Sequence, residues 1–474
     1  MPDIVTGADE QERLPGALEV DEELLADIAA LVGSGQRGMV LNLVADLYPP
    51  DLARLVSHLP LEKARQLFRW LPAEVSADVL PDLDSAFRAD LLEEVRPATL
   101  TEIIDELDTD DAADVLADLD EEVARQVLPA LEDADEVREL LGYGEDTAGG
   151  IMATEYVAVP ETWTVAEATE EVRRNAETVE QVYAVFVVGA EEHLTGVVSL
   201  KRLLLSQADV PVASIMKPDL ISVTPEVDQE EVARIMERYD LVSLPVVDGS
   251  GRLLGRITID DVVDVIREEA EEDIQRMSGI SGDEEPTHSV LRISRGRLPW
   301  LMAGLVGAGL AGTVIGSYEG ALEEAGILAA FIPVVMAMAG NAGIQSSAII
   351  VQGLASGDVW SSDLMRRLGK EVVVALINGA ALSVMLALLV LVLPALFGLF
   401  DIDLEITNVT LLALTAGGAL FLVILLATVI GTTVPLLLHR LGVDPAIATG
   451  PFITTSNDII GLAVFFLLAS LIYL

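Results

Sequence analysis

AIATGPFITTSNDIIGLAVFFLLASLIY, residues 446–473, is an apolar run that carries one charged side chain, Asp458. A helix needs about 20 such residues to cross the hydrocarbon of a bilayer. The stretch therefore reads as a membrane span with an acid inside it. Four more runs of that kind precede it, at 298–317, 327–355, 371–397 and 409–438. Several exceed the minimum, which implies tilt, kinks or interfacial ends. Orientation follows from where the basic residues lie. Arg292, Arg295 and Arg297 precede the first span, Arg366, Arg367 and Lys370 lie in the second connection, and His439 and Arg440 lie in the fourth. The first connection has Glu319, Glu323 and Glu324 and the third has Asp401, Asp403 and Glu405, with no Lys or Arg in either. This alternation implies a multi-pass protein of the plasma (inner) membrane, with the N-terminus cytoplasmic and Leu474 extracytoplasmic.

Ionisable groups that persist in hydrocarbon usually line a water-filled path. Asp458 directly follows Thr454, Thr455, Ser456 and Asn457, whose side chains can hold the hydration waters of an arriving ion. The competing reading is a protonated Asp458 bonded between helices. The second span carries Met338-Ala339-Gly340-Asn341-Ala342-Gly343-Ile344-Gln345-Ser346-Ser347. Pro333 and the Gly-Asn-Ala-Gly run are expected to break or kink it, freeing carbonyls toward a cavity. If the helix continues instead, Asn341 and Gln345 share a face, and both can serve helix–helix hydrogen bonds as well as a pore. Asp444 opens the last span at the cytoplasmic side, either as a second cation stop or as a helix N-cap. Oxygen ligands without cysteine favour a hard cation. One carboxylate per subunit among hydroxyls suits hydrated Mg2+, which gives up its waters reluctantly. Small residues at Gly304, Gly307, Gly309, Gly312, Gly417 and Gly418 suggest close helix packing. Five spans make a thin pore wall, so a homodimer with the pore on its shared axis is expected.

The formal net charge is −49, and it is unevenly placed. Residues 1–290 hold 66 acidic and 21 basic side chains, against 11 and 7 in residues 291–474. Such a surface repels nucleic acid and anionic lipid and attracts cations. Solubility or salt adaptation accounts equally well for many of the acids, and the presence of only Lys63, Lys201, Lys217 and Lys370 fits that. The absence of cysteine excludes a disulfide framework, thiol catalysis and a Cys-type zinc site. Residues 1–14 are polar and acidic, unlike a secretory signal. No catalytic triad, P-loop or phosphorylatable Asp motif is present, so no enzyme is expected.

Two repeats organise the acidic part. Leu47, Leu59, Leu71, Leu83, Val95, Leu107, Leu119 and Leu131 recur every 12 residues, most followed by Pro, Asp, Arg or Glu. That reads as short helices stacked into a solenoid-like, superhelical all-α domain. Farther on, Ile151-Met152 recurs as Ile215-Met216. Each copy continues as strand, amphipathic helix, two strands and helix. Ser243-Leu-Pro245-Val-Val-Asp248 and Gly255-Arg-Ile-Thr258-Ile-Asp260-Asp261 make this α/β region resemble a pair of CBS domains. The resemblance implies an adenine nucleotide, such as ATP, in the cleft, with Thr258 and Asp260 at the ribose. The first copy has Gly196-Val-Val-Ser199-Leu-Lys201 and lacks the Asp, so one nucleotide site at most is expected.

From Asp260 the chain reads DDVVDVIREEAEEDIQRM, a long helix leading to the first span. Like charges crowd one face of it, a destabilising arrangement unless cations intervene. With Glu-Glu-Ala-Glu-Glu-Asp at 268–273, Gly-Asn-Ala-Gly-Ile-Gln at 340–345 and Pro-Phe-Ile-Thr-Thr-Ser-Asn-Asp at 451–458, the chain resembles the MgtE family of magnesium channels from about residue 20 to its end. The resemblance implies an acidic helical N domain (21–142, after a disordered 1–20), a CBS pair (143–268, copies 146–208 and 209–268), a connecting plug helix (260–290) and a five-helix membrane domain (291–474). It further implies a homodimer that selects Mg2+ at Asp458 and closes when cytoplasmic Mg2+ bridges the soluble domains. The matching acids are Asp111 and Asp114, Asp240, Asp261, Asp264, Glu269, Glu272 and Asp273, with Asp444 at the plug–pore junction. Ser456 and Asn457 depart from the family pattern beside the pore acid. The alternatives are an ion-coupled secondary transporter of Co2+ or an organic solute, and a nucleotide-sensing protein with a membrane anchor. An odd span count without internal membrane repeats weighs against the first.

Overall fold

The computed structural model describes residues 22–176, 178–179, 181–280, 284, 290–356, 364–398, 406–448 and 450–474. The segment 1–20, expected to be disordered, and the acidic connection Asp401–Glu405 lie outside the described residues. The chain divides into two compact units, one ending at Ile266 and one beginning at Arg267.

Among the described residues, the first unit begins with ten short α-helices, from Glu22–Gly33 to Ala134–Leu140. Their starts are set by local chemistry. Pro49 and Pro97 occupy first-turn positions, where the missing N–H costs nothing. Asp84 caps Ser85–Leu92 by accepting from the Phe87 N–H at 3.1 Å. The 12-residue period places one Leu or Val just after each helix, where it is buried or half-buried against the core. From Pro49–His58 onward, successive helices pack on the next but one, which builds the superhelix. Buried arginines tie that spacing. Arg65, 7% exposed, donates to Asp90 O at 3.0 and 2.6 Å, and Arg88, 8% exposed, donates to Asp118 at 2.6 Å.

The α/β part of this unit carries five strands: β1 (Ala158–Pro160), β2 (Ala184–Val188), β3 (Leu194–Ser199), β4 (Ser243–Val247) and β5 (Leu253–Thr258). β1 runs parallel to β2, and β3 and β5 run antiparallel to β2 and β4. The second copy's first strand is shorter than expected, a single parallel bridge from Val223 to Val246. The two Ile-Met repeats exchange places. Ala153 pairs with Arg256 of β5 through two 2.9 Å bonds, and Lys217 pairs with Val197 of β3 at 2.9 and 3.1 Å. Met152 then fills the space over Gly255, and Met216 the space over Gly196, where any Cβ would collide. Each copy thus adds a bridge to the edge of the other's sheet.

Among the described residues, the second unit contains the end of the long helix Ile259–Met277 and five helices long and apolar enough to cross a membrane. These are Val290–Ser317, Gly326–Ala355, Met365–Ala395, Val409–Arg440 and Pro451–Tyr473. The fourth is the most buried and packs against the second, third and fifth, while the first packs on the fifth. The expected break in the second span is absent. Its α-helix runs unbroken over Ile332–Ala355, because Pro333 falls in the first turn, where no donor is lost. The glycines serve close approach instead. A Cβ on Gly343 would overlap Asn457 and Ile453 of the fifth span, and one on Gly431 would overlap the Gly343 carbonyl.

Candidate functional site

Asp458 lies two turns into the last helix, which Pro451 opens at its first turn. Thr454 donates its hydroxyl back to Gly450 O at 3.2 Å, as hydroxyls in apolar helices commonly do. The half-buried Asp458 faces a cavity of about 490 Å3 together with Thr454 and Thr455. Gly304 and Ala308 of the first span, Ile344 of the second and Met277 at the end of the long helix complete the wall. The first span can approach because Gly307 leaves room for Thr455. One carboxylate oxygen, Asp458 Oδ1, is buried and has no hydrogen-bond partner among the described residues. A buried carboxylate oxygen without a partner is costly. Asp458, Thr454 and Thr455 bring carboxylate and hydroxyl oxygens to this wall, the donors a hard cation prefers.

The other membrane candidates divide. Asn341 and Gln345 share an exposed face of the second span, beside cavity-lining Ile344. Asn457, expected on the pore face, points the other way. It is 2% exposed and its amide donates to Ala339 O at 3.3 Å, a bond between the second and fifth helices.

The candidate acids outside the spans form two groups. In the first unit, Asp110 and Asp111 begin the helix Thr109–Asp118 and come near Asp261. Burial first, then Asp261, Asp114 and Asp108, pushes the Asp111 carboxyl up to about 7, against a lowering by Arg88. Asp110 is raised by burial, Asp111, Asp261 and Asp108. Asp261 is raised by burial and Asp260, and lowered by its bonds from Thr258. Thr258 donates to it from the hydroxyl at 2.7 Å and from the backbone at 3.1 Å, so Asp261 anchors the start of the long helix. The Thr258 hydroxyl is thus turned to Asp261, while exposed Asp260 accepts a 3.4 Å bond from Gln181. Asp240 stands apart, exposed at a helix end with φ 51°, a left-handed cap that Asp tolerates.

In the second unit, Glu269, Glu272 and Asp273 meet Asp444. Burial, Asp444 and Glu269 raise the Asp273 carboxyl, and Arg276 lowers it. Asp444 accepts from the Ala446 N–H at 2.7 Å and also from Arg276, which pairs with Glu272 as well. Asp444 thus caps the short turn Pro445–Ala448 rather than the last helix, whose N-cap is Gly450, and its other contact is to Arg276. Asp264 is exposed, and among the described residues no three acidic or histidine side chains already converge on one metal position. Sequence reasoning missed Asp108, Asp110 and Arg276. An Asp-Asp pair and an Arg near the end of an acidic helix were the available signals, but only the fold decides which acids meet.

Five apolar spans, a cation-suited carboxylate at a cavity and an acidic helical domain joined to a CBS pair define a multi-pass membrane transport protein. A family model described as a divalent cation transporter matches residues 332–468, one described as the MgtE intracellular N domain matches 47–146, and a CBS-domain model matches 148–209 and 212–268. The magnesium transporter MgtE of Enterococcus faecalis is 37% identical over 340 residues, 72% of each chain. That of Thermus thermophilus is 37% identical over 341 residues, 71% of this chain and 72% of the relative. A crystal structure of the cytosolic domain of the Mg2+ channel MgtE in complex with ATP covers 51% of this chain and 99% of that one, at 37% identity and a TM-score of 0.49. The chain belongs to the MgtE family.

Proposed function

We propose that this chain is a Mg2+-selective channel that admits Mg2+ to the cytoplasm and is closed by cytoplasmic Mg2+. The observation that carries this is the buried oxygen of Asp458, without a partner among the described residues, at the wall of a cavity shared with Thr454 and Thr455. A hydrated Mg2+ keeps several waters and takes few direct ligands, and a carboxylate flanked by hydroxyls matches that need. Relatives named as magnesium transporters support the same cargo. Asn341 and Gln345 extend the polar path. In a homodimer the two Asp458 side chains face one another across the axis, with the N-termini in the cytoplasm.

Closure draws on the two acidic groups. Carboxylates forced together by Asp111, Asp114 and Asp261, and by Glu269, Glu272, Asp273 and Asp444, repel unless a cation stands among them. Asp240 and Asp264 add exposed charge to the same system. High cytoplasmic Mg2+ neutralises these groups and holds the plug helix over the pore; low Mg2+ releases it. An adenine nucleotide, held at Asp260 and Thr258, adds a second input. The test is Mg2+ uptake into liposomes with Mg2+ varied on the cytoplasmic face. Uptake should fall steeply over the cytoplasmic concentration range. Uptake indifferent to that concentration refutes the closure mechanism, and no uptake at all refutes the channel.

A further inference from the structure

One contact beside the acidic cluster is held without any cation. Thr109 is the first residue of the helix Thr109–Asp118, and its N–H is among the donors that helix geometry leaves without a partner. Glu155, in the segment that enters the CBS pair, accepts from that N–H at 3.1 Å and from the Thr109 hydroxyl at 2.9 Å. The Thr154 N–H in turn donates to the Thr109 oxygen at 2.9 Å. Thr109 is 2% exposed and Glu155 is half-buried, so water competes little for these bonds. A carboxylate at a helix N-terminus is also favoured by the aligned peptide dipoles.

The next two residues, Asp110 and Asp111, are the ones brought against Asp261. The helix start is therefore pulled to the CBS pair by one carboxylate and pushed from it by others. We propose that Thr109 and Glu155 form a metal-independent latch that docks the acidic helix on the CBS pair and so sets the Mg2+ level at which the acidic cluster closes. Both act as positioning residues. This rests on the closure mechanism proposed above.

The sign of one variant separates a latch from a mere extra acid. Glu155→Gln removes a negative charge near the cluster. If Glu155 only adds repulsion, the variant docks at lower Mg2+ than the native chain. If Glu155 is the latch, the variant needs more. The experiment is limited proteolysis of the full-length, detergent-solubilised protein across a Mg2+ titration, reading protection of the first 266 residues, with flux in liposomes as a second readout. Glu155→Gln and the uncharged Thr109→Val should each raise the protection midpoint about fivefold, the factor one buried hydrogen bond carries. Thr109→Ser, which keeps the hydroxyl, should match the native midpoint, and maximal flux at zero cytoplasmic Mg2+ should be unchanged in all three. Variant midpoints equal to or below the native one overturn the latch. A native chain with no Mg2+-dependent protection overturns the closure mechanism instead.

Discussion

The chain confines carboxylates in two opposite ways. Around Asp111 several acids press on one another in a half-buried contact, and the Asp111 carboxyl is driven up to about 7. In the last span a single acid, Asp458, stands among threonines, with one oxygen that nothing in the described residues satisfies. The crowded group is a poised repulsion: a cation or a proton changes which arrangement is stable. In the proposed channel the solitary group is where an arriving ion pauses. On the proposed reading, number and neighbours, more than acidity itself, separate a sensor from a path.

The largest effect concerns the packing that holds the solitary acid in place. Gly343→Val drives a branched side chain into Asn457 and Ile453. It should cost about 3 kcal/mol, the upper range for overpacking, seen as a lowered Tm and lost flux. Next is the junction of linker and last span. Arg276→Gln removes the cation that pairs Glu272 with Asp444 and lowers the Asp273 carboxyl. The pairs are partly exposed, so roughly 1 kcal/mol is expected, read as a several-fold rise in the Mg2+ needed for closure.

Acidity tests the crowded group directly. Asp111 holds its proton up to about pH 7 in the folded chain, against 3.8 as its ordinary value. Between those values the folded form binds more protons, so its stability rises as pH falls. Protection from protease without Mg2+ should therefore increase as pH falls from about 7.5 toward 5, with no further gain from Asp111 below 3.8. Protection that weakens over that range breaks the contrast between the two sites. The smallest effect is expected where acids are merely solvated. Arg125 and Glu121 pair on the surface, 69% and 86% exposed. Arg125→Ala should change stability by less than about 0.5 kcal/mol and leave the Mg2+ midpoint unmoved.

The spans, the 12-residue repeat and the doubled Ile-Met motif could be read from the chain because each rests on local periodicity. Asp458 stood out for the same reason, as the one charge in an apolar run. What could not be read was partnership. Asn457 neighbours Asp458 in sequence, yet a rotation of about 100° per residue sends it to Ala339 instead. Pro333 looked like a break until its place in the first turn was known. Among so many acids, the meeting of Asp111 with Asp261 depends on 150 residues of intervening fold.

The most direct test of the account is Mg2+ uptake by liposomes holding Asp458→Asn beside the native chain, at matched protein content and with no Mg2+ on the cytoplasmic face. Asparagine keeps the shape and removes the charge. Uptake should fall to the protein-free leak while the melting temperature holds. Uptake at the native rate would place the ion's path elsewhere and contradict the account.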